Sequence, residues 1–171
     1  TQNKKMPCNL RHRASGINLI RLAFLGLALL PLSIYAAISN TELPTGANIT
    51  QGSANISQNG NVLNIHQNSQ NLSTNWNTFN IGKDATVNFN QQNQSSIAIN
   101  RVLDSNASQI MGRLNANGQV FLLNPNGVVF SKTAQVNVGG LVASTLSLNE
   151  ADIQNGKYTL KGNANSTATI E

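Results

Sequence analysis

From Trp76 onward, apolar residues recur in pairs two positions apart: Phe79/Ile81, Val87/Phe89, Ile97/Ile99, Val120/Leu122, Val128/Phe130 and Val136/Val138. A period of two marks a strand with one buried face. Turn formers separate the pairs, among them Gly82-Lys83-Asp84, Asn117-Gly118, Asn124-Pro125-Asn126-Gly127 and Gly139-Gly140. Short strands at about 8–12-residue spacing predict an all-β domain built as a sandwich, a barrel or a solenoid. Between residues 40 and 75 the alternation is weaker, carried by Ile49, Ile56, Val62, Leu63 and Ile65, so 40–60 is expected to be loosely held. No window from 40 to 171 carries a helical stripe. The best candidate, Leu103 to Leu114, is interrupted by Asn106 and Gly112 and reads as two strands flanking a turn.

The first 36 residues have a different pattern. A basic stretch, Lys4 to Arg21, precedes the unbroken apolar run Leu22 to Leu30, which Pro31 ends. That order is the order of an export signal, and Ile34 and Ala36 suit the −3 and −1 positions for cleavage between Ala36 and Ala37. The alternative is an uncleaved anchor. A spanning helix needs about 20 apolar residues, and this run falls well short. The expected organisation is therefore a signal peptide over 1–36 and one β domain over 37–171.

Composition then selects among the β folds. From Ala37 onward there are 25 Asn and 11 Gln. In a β-solenoid, equivalent positions of successive coils lie about 4.8 Å apart, close enough for stacked amides to bond one another, as they do in other stacked sheets. Asn also tolerates the left-handed conformation used at tight corners. A sandwich has no comparable use for so many carboxamides, and the regular apolar pairs argue against a disordered polar segment. A solenoid is predicted, with Phe79, Phe89, Phe121 and Phe130 as an internal aromatic stack.

Charge and chemistry narrow the function. The formal charge is +5, yet Lys4, Lys5, Arg11, Arg13 and Arg21 supply it, and after Ala37 six basic residues face six acids. Nucleic-acid binding needs a dense basic face, so it is excluded. Cys8 is the only cysteine and lies in the leader, which removes disulfides, thiolate metal sites and a cysteine nucleophile from the β domain. An oxidising compartment makes a thiol-free exported chain advantageous.

The most firmly specified corner is Asn124-Pro125-Asn126-Gly127. Asn suits position i of a type I turn, Pro presets φ at i+1, and Gly suits i+3. Apolar runs on both sides, Val120 to Leu123 and Val128 to Phe130, make it a turn between two buried strands. From the residues alone, a hairpin or coil corner without any partner explains it as well. Shortly after it comes Val138-Gly139-Gly140-Leu141-Val142-Ala143-Ser144-Thr145, and upstream lie Trp76-Asn77-Thr78-Phe79-Asn80-Ile81-Gly82 and Ile99-Asn100-Arg101-Val102.

These elements, from about Asn75 to Leu148, resemble the N-terminal secretion domain of two-partner secretion exoproteins of the filamentous-haemagglutinin type. The resemblance implies a right-handed parallel β-helix. It implies delivery to the periplasm by the Sec machinery and recognition by a dedicated outer-membrane TpsB-type barrel with periplasmic POTRA domains. It assigns the secretion motif to Asn124, Pro125, Asn126 and Gly127. It further implies a secreted or surface location on a Gram-negative bacterium, with adhesin, haemolysin or toxin activity and any receptor contacts lying downstream. The second Asn-Pro-Asn motif of some subgroups is absent here. The domain is also usually longer, so the sequence is expected to be the front piece of a larger protein.

Catalysis is not expected, and no cofactor is. Some lyases and hydrolases are β-helices, so a self-contained exported carbohydrate-binding or lyase-like protein is the alternative. Such chemistry needs convergent acids. Asp84 and Asp104 would align only if one coil took twenty residues, and His66 lies in a polar run that reads as surface. Trp76 and Tyr158 read as core or coil-end residues and not as a sugar platform. The six Asn-x-Ser/Thr sequons barely exceed the roughly four that this composition produces by chance.

Overall fold

A computed structural model describes residues 37–155, 157–162 and 166–171. The leader, with its apolar run and Ala36 of the cleavage pair, lies outside the described residues; Ala37 is exposed.

The chain winds as a β-solenoid of about four turns. Face one consists of β1 (Asn48–Gln51), β4 (Asn71–Trp76), β6 (Ile97–Val102), β9 (Gln119–Leu123) and β12 (Gly140–Ser144). Face two consists of β2 (Ala54–Asn59), β3 (Val62–Gln67), β5 (Thr86–Asn90), β8 (Arg113–Ala116) and β11 (Gln135–Asn137). The third face is short. It pairs β7 (Ser108–Ile110) with β10 (Val128–Phe130), extended by single bridges from Ile81 to Ile110 and from Val128 to Ile170. From β3 onward the ladders on these faces are parallel. On face one Asn71 pairs with Ile97, Ile97 with Gln119, and Gln119 with Gly140, so successive coils shorten from 26 to 22 to 21 residues.

Inward residues follow the period-2 pattern. Leu63, Ile65, Leu72, Trp76, Val87, Phe89, Leu114, Val120, Leu122 and Val128 are buried in one continuous core. Burying such side chains contributes about 25 cal/mol per Å² of apolar surface. The core also holds a polar residue that periodicity does not reveal. Asn100 accepts a 2.9 Å bond from the indole N–H of Trp76, and its amide donates to the carbonyls of Ala98 and Phe121. With those partners made, its burial costs little.

The amide ladders are present. Asn88 donates to Asn64 and Asn115 donates to Asn88, each at 2.9 Å, along the outside of face two. At the corner between faces two and one, Gln91 donates to Gln67 at 3.2 Å and accepts from the N–H of Gly118. The buried Gln67 amide also caps three carbonyls, those of Ser69, Gln70 and Ile97. The left-handed role expected of Asn is not used: among the described residues every positive φ belongs to glycine. The asparagines serve as hydrogen-bonding spacers.

Three other expectations are corrected. Residues 40–60 are not loose: β1 and β2 pair antiparallel with β4 and β3 and close the first coil with a polar cap. The β2–β3 hairpin turns at Gly60, whose φ of 57° suits a tight two-residue loop. The pair Ile97/Ile99 points away from the solenoid interior, since Ala98, Asn100 and Val102 hold the inward positions of β6. The four phenylalanines do not stack. Phe79 and Phe89 are core residues, with Phe79 meeting Trp76 edge-to-face at 5.5 Å, whereas Phe121 lies outside and faces Tyr158 at 5.7 Å.

The outer apolar patch is covered by a flap. It is formed from β13 (Ser147–Leu148), α1 (Glu150–Gln154) and β14 (Leu160–Lys161). Leu148, Ile153, Tyr158 and Leu160 pack on Ile97, Ile99, Phe121 and Leu123. Asn149 caps the helix by accepting from the N–H of Ala151. The helix has only five residues, too few to show a stripe in sequence. The chain then rejoins the third face at Ile170.

Phe89→Ala is expected to cost about 3–5 kcal/mol in denaturant unfolding, and Asn88→Ala about 1–3 kcal/mol, because the latter strands two amide partners. Ile99→Asn is expected to loosen the flap, read as faster proteolytic cleavage within 145–162 while the rest of the domain resists.

Candidate functional site

The corner Asn124–Gly127 joins β9 on face one to β10 on the third face, so it is a coil corner and not a hairpin. The N–H of Gly127 donates to the carbonyl of Asn124 at 3.0 Å, closing the β-turn. Asn124 continues the inward parity of Val120 and Leu122 and is fully buried. Each polar group of its side chain is used. Its amide donates to the carbonyl of Asn106 and to Ser108 Oγ, both at 3.0 Å, and its Oδ1 accepts from the N–H of Asn126 at 2.9 Å. Its backbone N–H donates to the carbonyl of Ser144 at 3.0 Å. The corner is thus tied to the coil before it and the coil after it.

Gly127 is demanded twice. Its φ is 110°, a region L side chains avoid. A Cβ there would also come within 2.8 Å of the carbonyl of Thr169. Its own carbonyl accepts from the N–H of Ser108 at 3.0 Å. Pro125 and Asn126 have the opposite character. Both are exposed, and the Asn126 amide reaches back to the carbonyl of Asp104 at 2.7 Å. Four consecutive residues therefore divide into a buried clamp, Asn124 and Gly127, and an exposed tip, Pro125 and Asn126.

Comparison with known proteins supplies the family. The TPS secretion domain family matches residues 40–171. The chain belongs to that family. A heme/hemopexin-binding protein of Haemophilus influenzae (strain ATCC 51907 / DSM 11121 / KW20 / Rd) is 40% identical over 127 residues, covering 74% of this chain and 14% of that protein. Another Haemophilus influenzae heme/hemopexin-binding protein is 46% identical over 77 residues, covering 45% of this chain and 8% of that protein. The crystal structure of the HMW1 secretion domain from Haemophilus influenzae matches with a TM-score of 0.70 and 35% identity, over 74% of this chain and 34% of that one. The chain thus spans a small part of the relatives it matches.

Several conclusions follow for this TPS secretion domain. The family consists of secretion domains of exported exoproteins and is not an enzyme family, and membership implies a cognate TpsB transporter. The residues weighed for catalysis do not converge. Asp84 precedes β5 and Asp104 follows β6, at different corners of coils longer than twenty residues. His66 is exposed on β3. Trp76 is core, and Tyr158 belongs to the flap. The two motif elements do meet, because the carbonyl of Ser144 in the Gly-Gly-Leu-Val-Ala-Ser segment receives the N–H of Asn124. Sequence reasoning missed Asp104, Asn106 and Ser108 as partners of the corner. Their only signal is their place one coil earlier, which requires the register.

Asn124→Ala is expected to lower stability by about 2–4 kcal/mol, since it strands buried acceptors and removes a clamp. Gly127→Ala is expected to destabilise the corner as well, through φ and the Thr169 carbonyl. Pro125→Ala and Asn126→Ala are expected to stay within about 1 kcal/mol of the parent in thermal unfolding, because both side chains are solvated.

Proposed function

We propose that this domain is the export address of a larger exoprotein, read by its transporter at the exposed tip of the Asn124–Gly127 corner. The observation that carries the reading is the division within the motif. Asn124 and Gly127 are consumed by folding, so Pro125 and Asn126 are what the motif offers a partner. Proline fixes the backbone of the tip in advance, which lowers the entropy lost on docking.

The pattern of the leader and the family membership support the remainder of the route. The segment 1–36 directs the chain to the Sec machinery and is removed between Ala36 and Ala37, leaving 37–171 as the β domain. The POTRA domains of the transporter take up the chain in the periplasm with the Asn124–Gly127 turn, whose bonds are local, already formed and the rest extended. Outside the cell, coil-on-coil folding releases free energy that biases the chain outward, where no nucleotide hydrolysis is available. Few ionisable groups need desolvating on the way. The domain acts by binding and folding and not by catalysis. Adhesin-type or haemagglutinin-type activity, contact with host or bacterial surface receptors, and any recognition of haem or haemopexin like that named for the relatives belong to other parts of the exoprotein, and with them any role in virulence.

Secretion of the exoprotein beside its transporter tests the reading. Pro125→Ala and Asn126→Ala are expected to reduce the extracellular yield severalfold and leave thermal unfolding nearly unchanged. Wild-type yield from both variants would remove the tip from the recognition step.

A further inference from the structure

Four asparagines in this chain are followed directly by glycine: Asn59, Asn117, Asn126 and Asn155. Such a pair can close on itself, because a glycine nitrogen brings no side chain to obstruct its approach to the asparagine Cγ. The fold sorts the pairs by whether that nitrogen and that Cγ are at liberty. At Asn117–Gly118 neither is. The Asn117 Oδ1 accepts from the N–H of Gln91 and its amide donates to the carbonyl of Gln91, both at 2.7 Å, while the Gly118 N–H donates to Gln91 Oε1 at 2.9 Å. At Asn126–Gly127 the glycine N–H closes the turn on the carbonyl of Asn124 at 3.0 Å, and the Asn126 amide holds the carbonyl of Asp104 at 2.7 Å. Gly156, which follows Asn155, lies outside the described residues.

Asn59–Gly60 forms the tip of the β2–β3 hairpin and is built differently. Both residues are exposed, the Asn59 side chain has no hydrogen bond among the described residues, and the Gly60 N–H donates to no described group. The Gln58 amide donates to the Gly60 carbonyl at 3.0 Å, which leaves the nitrogen side of that glycine untouched. A Cβ built at Gly60 would meet nothing within 4 Å, so the space around the tip is open. Asn59 faces Val62 in the last rung of the β2–β3 ladder. Its extended backbone has to swing to bring Cγ onto the Gly60 nitrogen, and a terminal rung opens at far lower cost than the interior of a stack.

We propose that Asn59 is a self-modification site of the folded domain, with water as its only co-reactant. The Gly60 nitrogen gives up its proton to solvent and attacks Asn59 Cγ. The new C–N bond closes a succinimide ring as the bond from Cγ to the amide nitrogen breaks, and ammonia leaves with a proton returned by solvent. Water then adds to one of the two ring carbonyls. Breaking the ring bond from nitrogen to Cγ restores the main chain with an aspartate at 59; breaking the bond from nitrogen to the main-chain carbonyl carbon leaves isoaspartate. No oxidation or reduction occurs, and either product carries a negative charge that the amide lacked. Isoaspartate also lengthens the main chain by one methylene at a two-residue loop whose twist matches the strands it joins, so it loosens the β2 cap from β3.

The test is incubation of the secreted exoprotein in mildly alkaline buffer made with heavy-oxygen water, followed by peptide mapping. A sample unfolded in guanidinium chloride and the variants Asn59→Gln and Gly60→Ala are run beside it. In the folded protein Asn59 is expected to convert about tenfold faster or more than Asn117 and Asn126, because those corners react only when locally opened. Unfolding is expected to bring the three rates to within about threefold of one another, since the hydrogen bonds that separate them are gone. Converted Asn59 should carry the heavy oxygen and appear as both aspartate and isoaspartate. Asn59→Gln has to close a larger ring and Gly60→Ala puts a Cβ beside the nitrogen, so both should suppress conversion at residue 59. Equal rates at the three sites in the folded protein, or a faster Asn117 or Asn126, would overturn the proposal. A product that is aspartate alone would overturn it too, since that marks direct hydrolysis of the side chain. Undiminished conversion of residue 59 in both variants would do the same.

Discussion

Every coil of this domain depends on its neighbour for its backbone hydrogen bonds. The N–H and C=O groups of face one, face two and the third face are satisfied across coils, so one coil by itself would leave a full turn of polar backbone unpaired. This makes the register between coils the quantity that everything else must respect. Side chains at matching positions reinforce it. Asn64, Asn88 and Asn115 repeat the inter-coil bond outside face two, and Gln67 with Gln91 repeats it at a corner. Shifting one coil by a residue would break the ladders and turn the core residues outward together.

The same constraint explains how a four-residue motif can serve two ends. Asn124 is the point at which three coils exchange hydrogen bonds, through Asn106 and Ser108 before it and Ser144 after it. Gly127 is needed because the backbone of the last coil passes so close, at Thr169. Once these two have locked the corner, the side chains between them stand in solvent and are presented in one geometry, with the Asn126 amide bonded back to the carbonyl of Asp104. The turn is therefore rigid without being covered, the condition under which a small surface can be recognised at low entropic cost.

The faces of the solenoid are unequal in polarity, and the flap answers that inequality. On β4 the outward residues are the polar Asn71, Ser73 and Asn75, and Ser73 Oγ accepts from the Arg101 guanidinium at 2.8 Å. On β6 and β9 they include Ile97, Ile99, Phe121 and Leu123, which need cover. The detour through α1 provides it. The two ends of the stack differ in the same way. The first coil is closed by the polar antiparallel strand β2, while Val136, Leu141 and Ile170 bring partly exposed apolar side chains to the last coil, one on each face.

Much of this was legible in the linear chain, because alternation and turn chemistry are local. The pairs Val87/Phe89 and Val120/Leu122 follow from strand geometry alone, and the abundance of Asn and Gln pointed to stacked amides. The Asn-Pro-Asn-Gly corner could be read from turn preferences and likeness to a family. What alternation cannot say is which side of a strand is the inside. Ile97/Ile99 looks like a core pair, yet Ala98, Asn100 and Val102 took the interior, because the register of β6 against β4 and β9 had already fixed which parity faces inward. The partners of Asn124 and the flap over Phe121 were likewise decided only in three dimensions. Local sequence specifies strands and corners; coil length sets what lies beside what, and coil length is a property of the closed stack.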